Sequence, residues 1–364
     1  MKILILANSD GGLYNFRKEL LIELVKAHEV SISVPEGEYA SFFRSIGCKL
    51  FHMSFDRHGT NPMKELELLS CYKKLLKAEK PDIVFTYTIK PSVYGGMACA
   101  QMRIPYVVNI TGLGTAVENG GMMQKITLFL YKLGLRKAQK VFFQNSANQQ
   151  FMLSKGVIAG DFDLLPGSGV NLERYPLVEY PDSETIDFLF IGRVMKEKGV
   201  DQYLEAAEYI RKKYPQTRFH VCGGCEQAYE QRLADLQEKG VIIYHGRVKN
   251  MPEMQKISAC TIHPTYYPEG MSNVLLESCA SGRPIITTDR AGCREIVDDG
   301  INGFVVRQRD SQDLIEKVEK FLALSREERR DMGLAGRAKM EREFDRRIVI
   351  EKYMNEVENV RDGL

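Results

Sequence analysis

Apolar residues recur along this chain in two alternating rhythms. Short apolar runs at residues 2–7, 30–34, 50–53, 83–86, 106–110, 141–144 and 162–165 read as buried strands. Between them lie longer stretches with helical spacing of apolar positions, such as 13–26 and 62–80. The same alternation resumes at 188–191, 218–222, 241–245, 260–263, 284–287 and 304–306. Strands that alternate with helices build parallel sheets covered on both faces, so the pattern predicts an α/β chain of two doubly wound, Rossmann-like domains. A stretch rich in Gly, Pro and Ser, from Pro166 to Ser183, marks the join. The expected divisions are 1–172 for the first domain, 184–340 for the second, and a helix over 341–364 that crosses back to the first.

Length and composition fit that picture. A chain of 364 residues exceeds one ordinary core, and 44% hydrophobic with 27% charged residues can fill two. No apolar run reaches membrane-spanning length, and the opening MKILILANSD reads as a first strand, not a secretory leader. The eight cysteines are scattered through strand- and helix-like contexts, which points to a reducing cytoplasm. The net charge of +2 is uneven: residues 1–172 hold 20 Lys and Arg against 14 Asp and Glu, and the remainder 30 against 34. The first half is therefore the half suited to an anionic partner.

The strongest chemical signal is HPTYYPEGMSNVLLE at 263–277, where Glu269 and Glu277 bracket a turn of small residues entering an apolar helix. Such a turn offers unpaired backbone N–H groups and the positive end of the helix dipole, which suits an anion. GRVMKEKG at 192–199 follows an apolar strand and carries Arg193 and Lys198. Together these segments describe a diphosphate site with carboxylates placed to accept hydrogen bonds from hydroxyls, as a nucleotide-sugar requires. In the first domain, DGGLYNFR at 10–17 falls at a strand end, where Gly11 and Gly12 allow close approach of backbone to a ligand.

This combination resembles glycosyltransferase family 4 of the GT-B glycosyltransferases, along the whole chain. The resemblance implies two Rossmann-like domains and donor binding by the Glu-(seven residues)-Glu pair, Glu269 and Glu277, with Arg193 and Lys198 on the diphosphate. It implies that Glu269 contacts donor-sugar hydroxyls and Glu277 the ribose, and that Gly12, Gly270, Met271, Ser272 and Asn273 complete the pocket. The Gly246-Arg247-Val248 turn is similar to the loop that contacts the base. LYNFRK at 13–18, TIKPSVYGG at 88–96 and ITGLGT at 110–115 are similar to bacterial capsule and exopolysaccharide transferases, and to N-acetylgalactosaminyltransferases that extend polyprenyl-diphosphate-linked bacillosamine. That subgroup implies a UDP-sugar donor, a polyprenyl-diphosphate-linked acceptor and action at the inner face of the cell membrane. Asp10, Arg17, Lys90, Thr111 and Glu118 are the acceptor-side candidates.

Within 121–140, Met122, Ile126, Phe129, Leu130 and Leu133 form one helical stripe flanked by Lys125, Lys132 and Arg136, with no acidic residue. A basic amphipathic helix of this kind can lie in an anionic membrane interface. The resemblance further implies retention of anomeric configuration, which we read as front-face substitution. In it, Arg193, Lys198 and Glu269 carry the catalytic burden without a metal or other cofactor. The loop 109–121 lacks the histidine that several relatives carry, and His28, His52 and His58 are no obvious substitutes.

Other signals are weaker. Asp161-Phe-Asp163 has the form of a metal motif but reads as an edge strand, and Cys222-Gly-Gly-Cys225 lacks a second pair at zinc spacing. No G-x-G-x-x-G follows a strand, and no interleaving of basic and aromatic residues points to nucleic acid. Three alternatives stay open at this point: a transferase with a soluble acceptor, a GT-B sugar-nucleotide epimerase, and a non-catalytic scaffold.

Overall fold

A computed structural model describes residues 1–53, 61–118 and 120–363, with the side chain of Thr115 left out. The chain forms two units: 1–168 with 268–271 and 347–364, and 169–267 with 272–346. The connecting stretch 169–183 groups with the second unit, and four residues of the Glu269 turn, 268–271, group with the first.

The first unit holds seven parallel strands: β1 (Lys2–Leu6), β2 (Glu29–Val34), β3 (Lys49–His52), β4 (Ile83–Tyr87), β5 (Tyr106–Ile110), β6 (Lys140–Phe143) and β7 (Phe162–Leu164). Their spatial order is β3-β2-β1-β4-β5-β6-β7, so the winding reverses between β1 and β4. The helix Asp10–Leu24 starts where the Ser9 hydroxyl accepts from Gly12 N–H at 3.0 Å, and it buries Leu13, Leu20, Leu21 and Leu24 against the sheet. The final helix, Arg346–Asp362, supplies Val349, Tyr353 and Val357 to the same core. Each such buried side chain contributes about 1.5–3 kcal/mol. The Tyr353 ring centroid lies 5.0 Å from that of Phe85 and 5.2 Å from that of Phe142, and its hydroxyl accepts from Asn109 at 2.8 Å.

The second unit repeats the plan with six parallel strands: β8 (Ile186–Ile191), β9 (Thr217–Cys222), β10 (Ile243–Gly246), β11 (Cys260–His263), β12 (Ile285–Thr288) and β13 (Gly303–Val306). The order β10-β9-β8-β11-β12-β13 places the reversal between β8 and β11. A polar chain centred on the buried Asp187 and His220 pins three of these strands. Arg218 donates twice to Asp187, at 2.6 and 2.9 Å; Asp187 lies 2.7 Å from His220 Nε2, and His220 Nδ1 lies 2.9 Å from His245 Nε2. The fully buried Arg283 donates to the carbonyls of Val178, Glu179 and Gln255, which ties the connecting segment to this core.

Ligands of open α/β sheets bind beyond the carboxyl ends of strands, where the winding reverses. In the second unit that location is served by the loops after β8 and β11, which carry the two strongest sequence motifs.

Candidate functional site

The loop after β8 turns sharply. Gly192 N–H donates to Cys222 O at 2.9 Å, Arg193 projects into solvent, and Lys196–Lys198 forms one 3₁₀ turn before the helix Val200–Lys213. Gly199 closes the turn at φ +73°, and a Cβ there would lie 2.0 Å from the Pro264 carbonyl oxygen. Only glycine fits, because the loop after β11 passes directly against it. Tyr266 N–H donates to Glu197 O at 2.9 Å, so the two loops are joined backbone to backbone. The ring of Tyr267 takes Lys198 Nζ at 5.0 Å and the Arg193 guanidinium carbon at 5.6 Å.

Beyond this loop, Ser272 precedes the helix Asn273–Ala280 in extended conformation and donates its N–H to Gly292 O at 2.8 Å. Ser272 is 1% exposed, and its hydroxyl has no hydrogen-bond partner among the described residues. A buried orphan hydroxyl costs free energy unless a ligand completes it. Glu277 lies four residues further along the helix, one turn on from Asn273. Burial pushes its carboxyl up to about 7, although Tyr175, Arg174 and Arg346 act in the other direction. The Tyr175 phenol is held well above its ordinary range, by burial first and then by Glu277.

A third strand end completes this side. Gly223 N–H donates to Gly246 O at 2.7 Å, and the Arg247 guanidinium lies against Gly224. Val248 packs on Leu189, Ile191 and Cys222, so it anchors the turn while Arg247 stays exposed. The Cys222-Gly-Gly-Cys225 stretch is thus a turn that lets two strand-end loops approach, with both thiols free.

In the first unit the segment 268–271 lies against the ends of β5 and β6. Asn145 Nδ2 donates to the carbonyls of Glu269, at 3.3 Å, and Gly270, at 2.6 Å. A Cβ on Gly270 would come within 2.2 Å of Thr111 O. Thr111 therefore meets the backbone beside Glu269, while Met271 is buried and the Glu269 side chain half-buried.

Three of the acceptor-side candidates, Asp10, Arg17 and Lys90, are held by other residues of the first unit. The Asp10 carboxylate accepts from Tyr39 N–H at 3.2 Å and so holds the loop after β2. Gly12, expected in the donor pocket, donates its N–H to the Ser9 hydroxyl. Arg17 is 4% exposed; it donates to Phe16 O at 2.7 Å, and its guanidinium lies 5.1 Å from the Tyr87 ring centre and 6.0 Å from that of Tyr353. Its side chain is buried against these two core rings. Lys90 pairs with Glu65, and Glu118 is exposed at the end of the short helix Thr115–Glu118. Among the histidines considered, His28 follows the first helix, His52 ends β3 3.2 Å from Arg44, and His58 lies outside the described residues. Asp161, just before edge strand β7, pairs with Lys140, and Asp163, within it, pairs with Lys352.

The helix Gly121–Leu135 buries Thr127, Tyr131, Gly134 and Leu135. Its opposite face exposes Met122, at 78%, Ile126, and Phe129, at 60%, beside exposed Lys125, Lys132 and Arg136. Leu130 and Leu133, expected on the same stripe, are half-buried; Leu130 packs on the first unit's core. Among the described residues, no helix is long and apolar enough to cross a membrane.

Two residues at the second unit's loops escaped sequence reasoning: Tyr175 and Tyr267. Tyr267 stands inside the strongest motif, and its position two residues before Glu269 was the available signal.

Two reversing parallel sheets, one of them with a cationic loop and a helix N-terminus at its reversal, have the GT-B plan. A model of the glycosyl transferase 4-like domain matches residues 2–145, and a model of glycosyl transferases group 1 matches 178–339. The N,N'-diacetylbacillosaminyl-diphospho-undecaprenol alpha-1,3-N-acetylgalactosaminyltransferase of Campylobacter jejuni is 25% identical over 97% of each chain. The UDP-Gal:alpha-D-GlcNAc-diphosphoundecaprenol alpha-1,3-galactosyltransferase of Escherichia coli is 24% identical over 70% of each. The structure of Anabaena HepE, solved with UDP and glucose, superposes with a TM-score of 0.79 at 17% identity and 99% coverage of both chains, which speaks for the fold. The chain belongs to the GT-B glycosyltransferases of family 4, in the group that includes transferases of capsule, exopolysaccharide and undecaprenyl-linked glycan assembly.

Proposed function

We propose that the protein is a retaining transferase that moves a hexose or N-acetylhexosamine from a UDP-sugar to a polyprenyl-diphosphate-linked saccharide. The observation that carries the donor side is the reversal between β8 and β11: the loop after β8 bears Arg193 and Lys198, and the loop after β11 leads into the helix Asn273–Ala280, preceded by the buried Ser272, whose hydroxyl has no partner among the described residues. An anion there gains two side-chain cations and a helix N-terminus, so the diphosphate leaves with its charge already met. In this reading Glu277 accepts from the ribose, Arg247 approaches the base, and Glu269 meets hydroxyls of the donor sugar. The chemistry is then positioning plus stabilisation of the leaving group, with no covalent sugar–enzyme step and no metal needed for charge.

The acceptor side rests on the relatives, which act on undecaprenyl-diphosphate-linked sugars by their names. It is supported by the exposed Met122, Ile126 and Phe129 beside three cations, a face suited to the anionic inner surface of a cell membrane. The test is a donor screen: purified protein with each of several UDP-sugars, with and without a polyprenyl-diphosphate glycan acceptor, and released UDP as readout. Acceptor-dependent release with one sugar is the expected result. Conversion of a UDP-sugar to its epimer without acceptor overturns the reading in favour of an epimerase, and release with a soluble saccharide alone overturns the lipid acceptor.

A further inference from the structure

Tyr267 has no role in the scheme so far, yet both cations of the loop after β8 converge on its ring. Lys198 Nζ lies 5.0 Å and the Arg193 guanidinium carbon 5.6 Å from its centre, within the roughly 6 Å at which an aromatic face attracts a cation. The neighbouring Tyr266 takes a different cation, Arg309, at 4.5 Å. The two tyrosines thus sort three cations, and Arg193 and Lys198 go to one ring.

The ring is fixed to the loop that bears those cations. Tyr267 N–H donates to Thr265 Oγ1 at 3.1 Å, and that hydroxyl donates to Glu197 O at 3.3 Å, one residue before Lys198. Thr288 Oγ1 holds Thr265 O at 2.6 Å from the next strand. Pro268 follows and restricts the Tyr267 backbone to extended conformations. The backbone that carries the ring is therefore held in place, whereas the exposed Arg193 is a long side chain with much rotamer freedom to lose.

We propose that Tyr267 is a positioning residue for the donor diphosphate: its ring gathers Arg193 and Lys198 into one anion slot before the donor arrives. The inference rests on the reading of those two cations as diphosphate ligands. Two like charges drawn to one ring repel each other, and an anion between them removes that repulsion. Ordering the cations in advance lowers the entropy cost of binding and of stabilising the leaving group.

The test uses the full chain with Tyr267→Phe, with 3,4,5-trifluorophenylalanine incorporated at the same position, and with Tyr267→Leu, alongside Arg193→Ala. Titration calorimetry reads UDP, inorganic pyrophosphate and uridine. Phenylalanine keeps the ring's electron-rich face, and trifluorophenylalanine keeps the shape but removes that face. The expected result is UDP and pyrophosphate affinity within about twofold of wild type for Phe, and about fivefold weaker for the trifluoro and Leu variants, with uridine unchanged. Equal UDP affinity for the Phe and trifluoro variants overturns the proposal, as does a parallel loss of uridine, which would mark Tyr267 as a support of the loop. The Phe and trifluoro pair decides the matter even if the Leu variant does not fold. Unchanged UDP binding in Arg193→Ala instead overturns the diphosphate reading beneath it.

Discussion

In the second unit, the loops after β8 and β11 are joined through backbone, Tyr266 to Glu197 and Gly199 against Pro264, and Arg193 is left in solvent at the strand ends. In the first unit, charged residues near the matching strand ends, after β1 and β4, are drawn into the protein's own structure. Asp10 holds the loop at Tyr39, Lys90 pairs with Glu65, and Arg17 lies beneath Tyr87 and Tyr353. Both sheets reverse between their first and fourth strands, so topology does not make this difference. It lies in how side-chain charge is disposed beyond the strands, which is where function separates from fold. One unit keeps the exposed Arg193 at its strand ends. The other offers a neutralised rim, and its available cations stand on the outer face of the helix Gly121–Leu135.

The comparison breaks first at Arg193. Replacing it with alanine should lower kcat by about 10²–10³, by analogy with a lost oxyanion donor, and leave the melting temperature unchanged because the side chain is exposed. Steady-state kinetics with thermal denaturation checks both halves, and a fall in stability to match the fall in rate would erase the contrast between the units. Neutralisation of Lys125, Lys132 and Arg136 to glutamine comes next. At about 1 kcal/mol per cation near an anionic surface, flotation with acidic vesicles should fall by about a hundredfold, with UDP affinity intact.

Arg17→Leu should act on the fold alone. Loss of its stacking on two rings should cost about 2 kcal/mol, read as a lower denaturation midpoint, while UDP titration stays as in wild type. The smallest expected effect belongs to Glu277. With its carboxyl at about 7, the form that accepts from ribose hydroxyls fills as pH rises, so UDP affinity should grow about tenfold from pH 6 to pH 8. The same raised value means that Glu277 favours the unliganded fold below about 4.5 and that this contribution disappears as pH rises through 7. Glu277→Gln should flatten the protein-dependent part of the affinity profile.

The two units also differ in how far their sequence could be read. The donor-side residues stand in two short stretches, 192–199 and 263–277, each directly after an apolar strand. Local order along the chain therefore sufficed to group Arg193, Lys198, Ser272 and Glu277 as one unit's chemistry. The strands themselves were equally legible, because short apolar runs between amphipathic stretches leave little choice but a parallel sheet. The first unit's charges were not legible, since their partners are remote. Asp10 meets Tyr39 across 29 positions, and Lys90 meets Glu65 across 25. Arg17 is covered by a ring of the last helix. No spacing rule along a single element reaches such pairs. Tyr267 was missed for another reason: an aromatic residue in a loop reads as packing until its neighbours are placed, and the cations it gathers come from a loop some seventy positions earlier in the chain.

The central claim is that the second unit's strand ends form a nucleoside diphosphate site built on Arg193. Calorimetric titration of UDP into the wild-type chain and into Arg193→Ala tests it most directly. The account predicts one UDP per chain for the wild type and affinity weakened by about a hundredfold in the variant, in line with the loss of a charge-assisted contact to the diphosphate. A wild-type chain that binds no UDP, or a variant that binds it equally well, would contradict it.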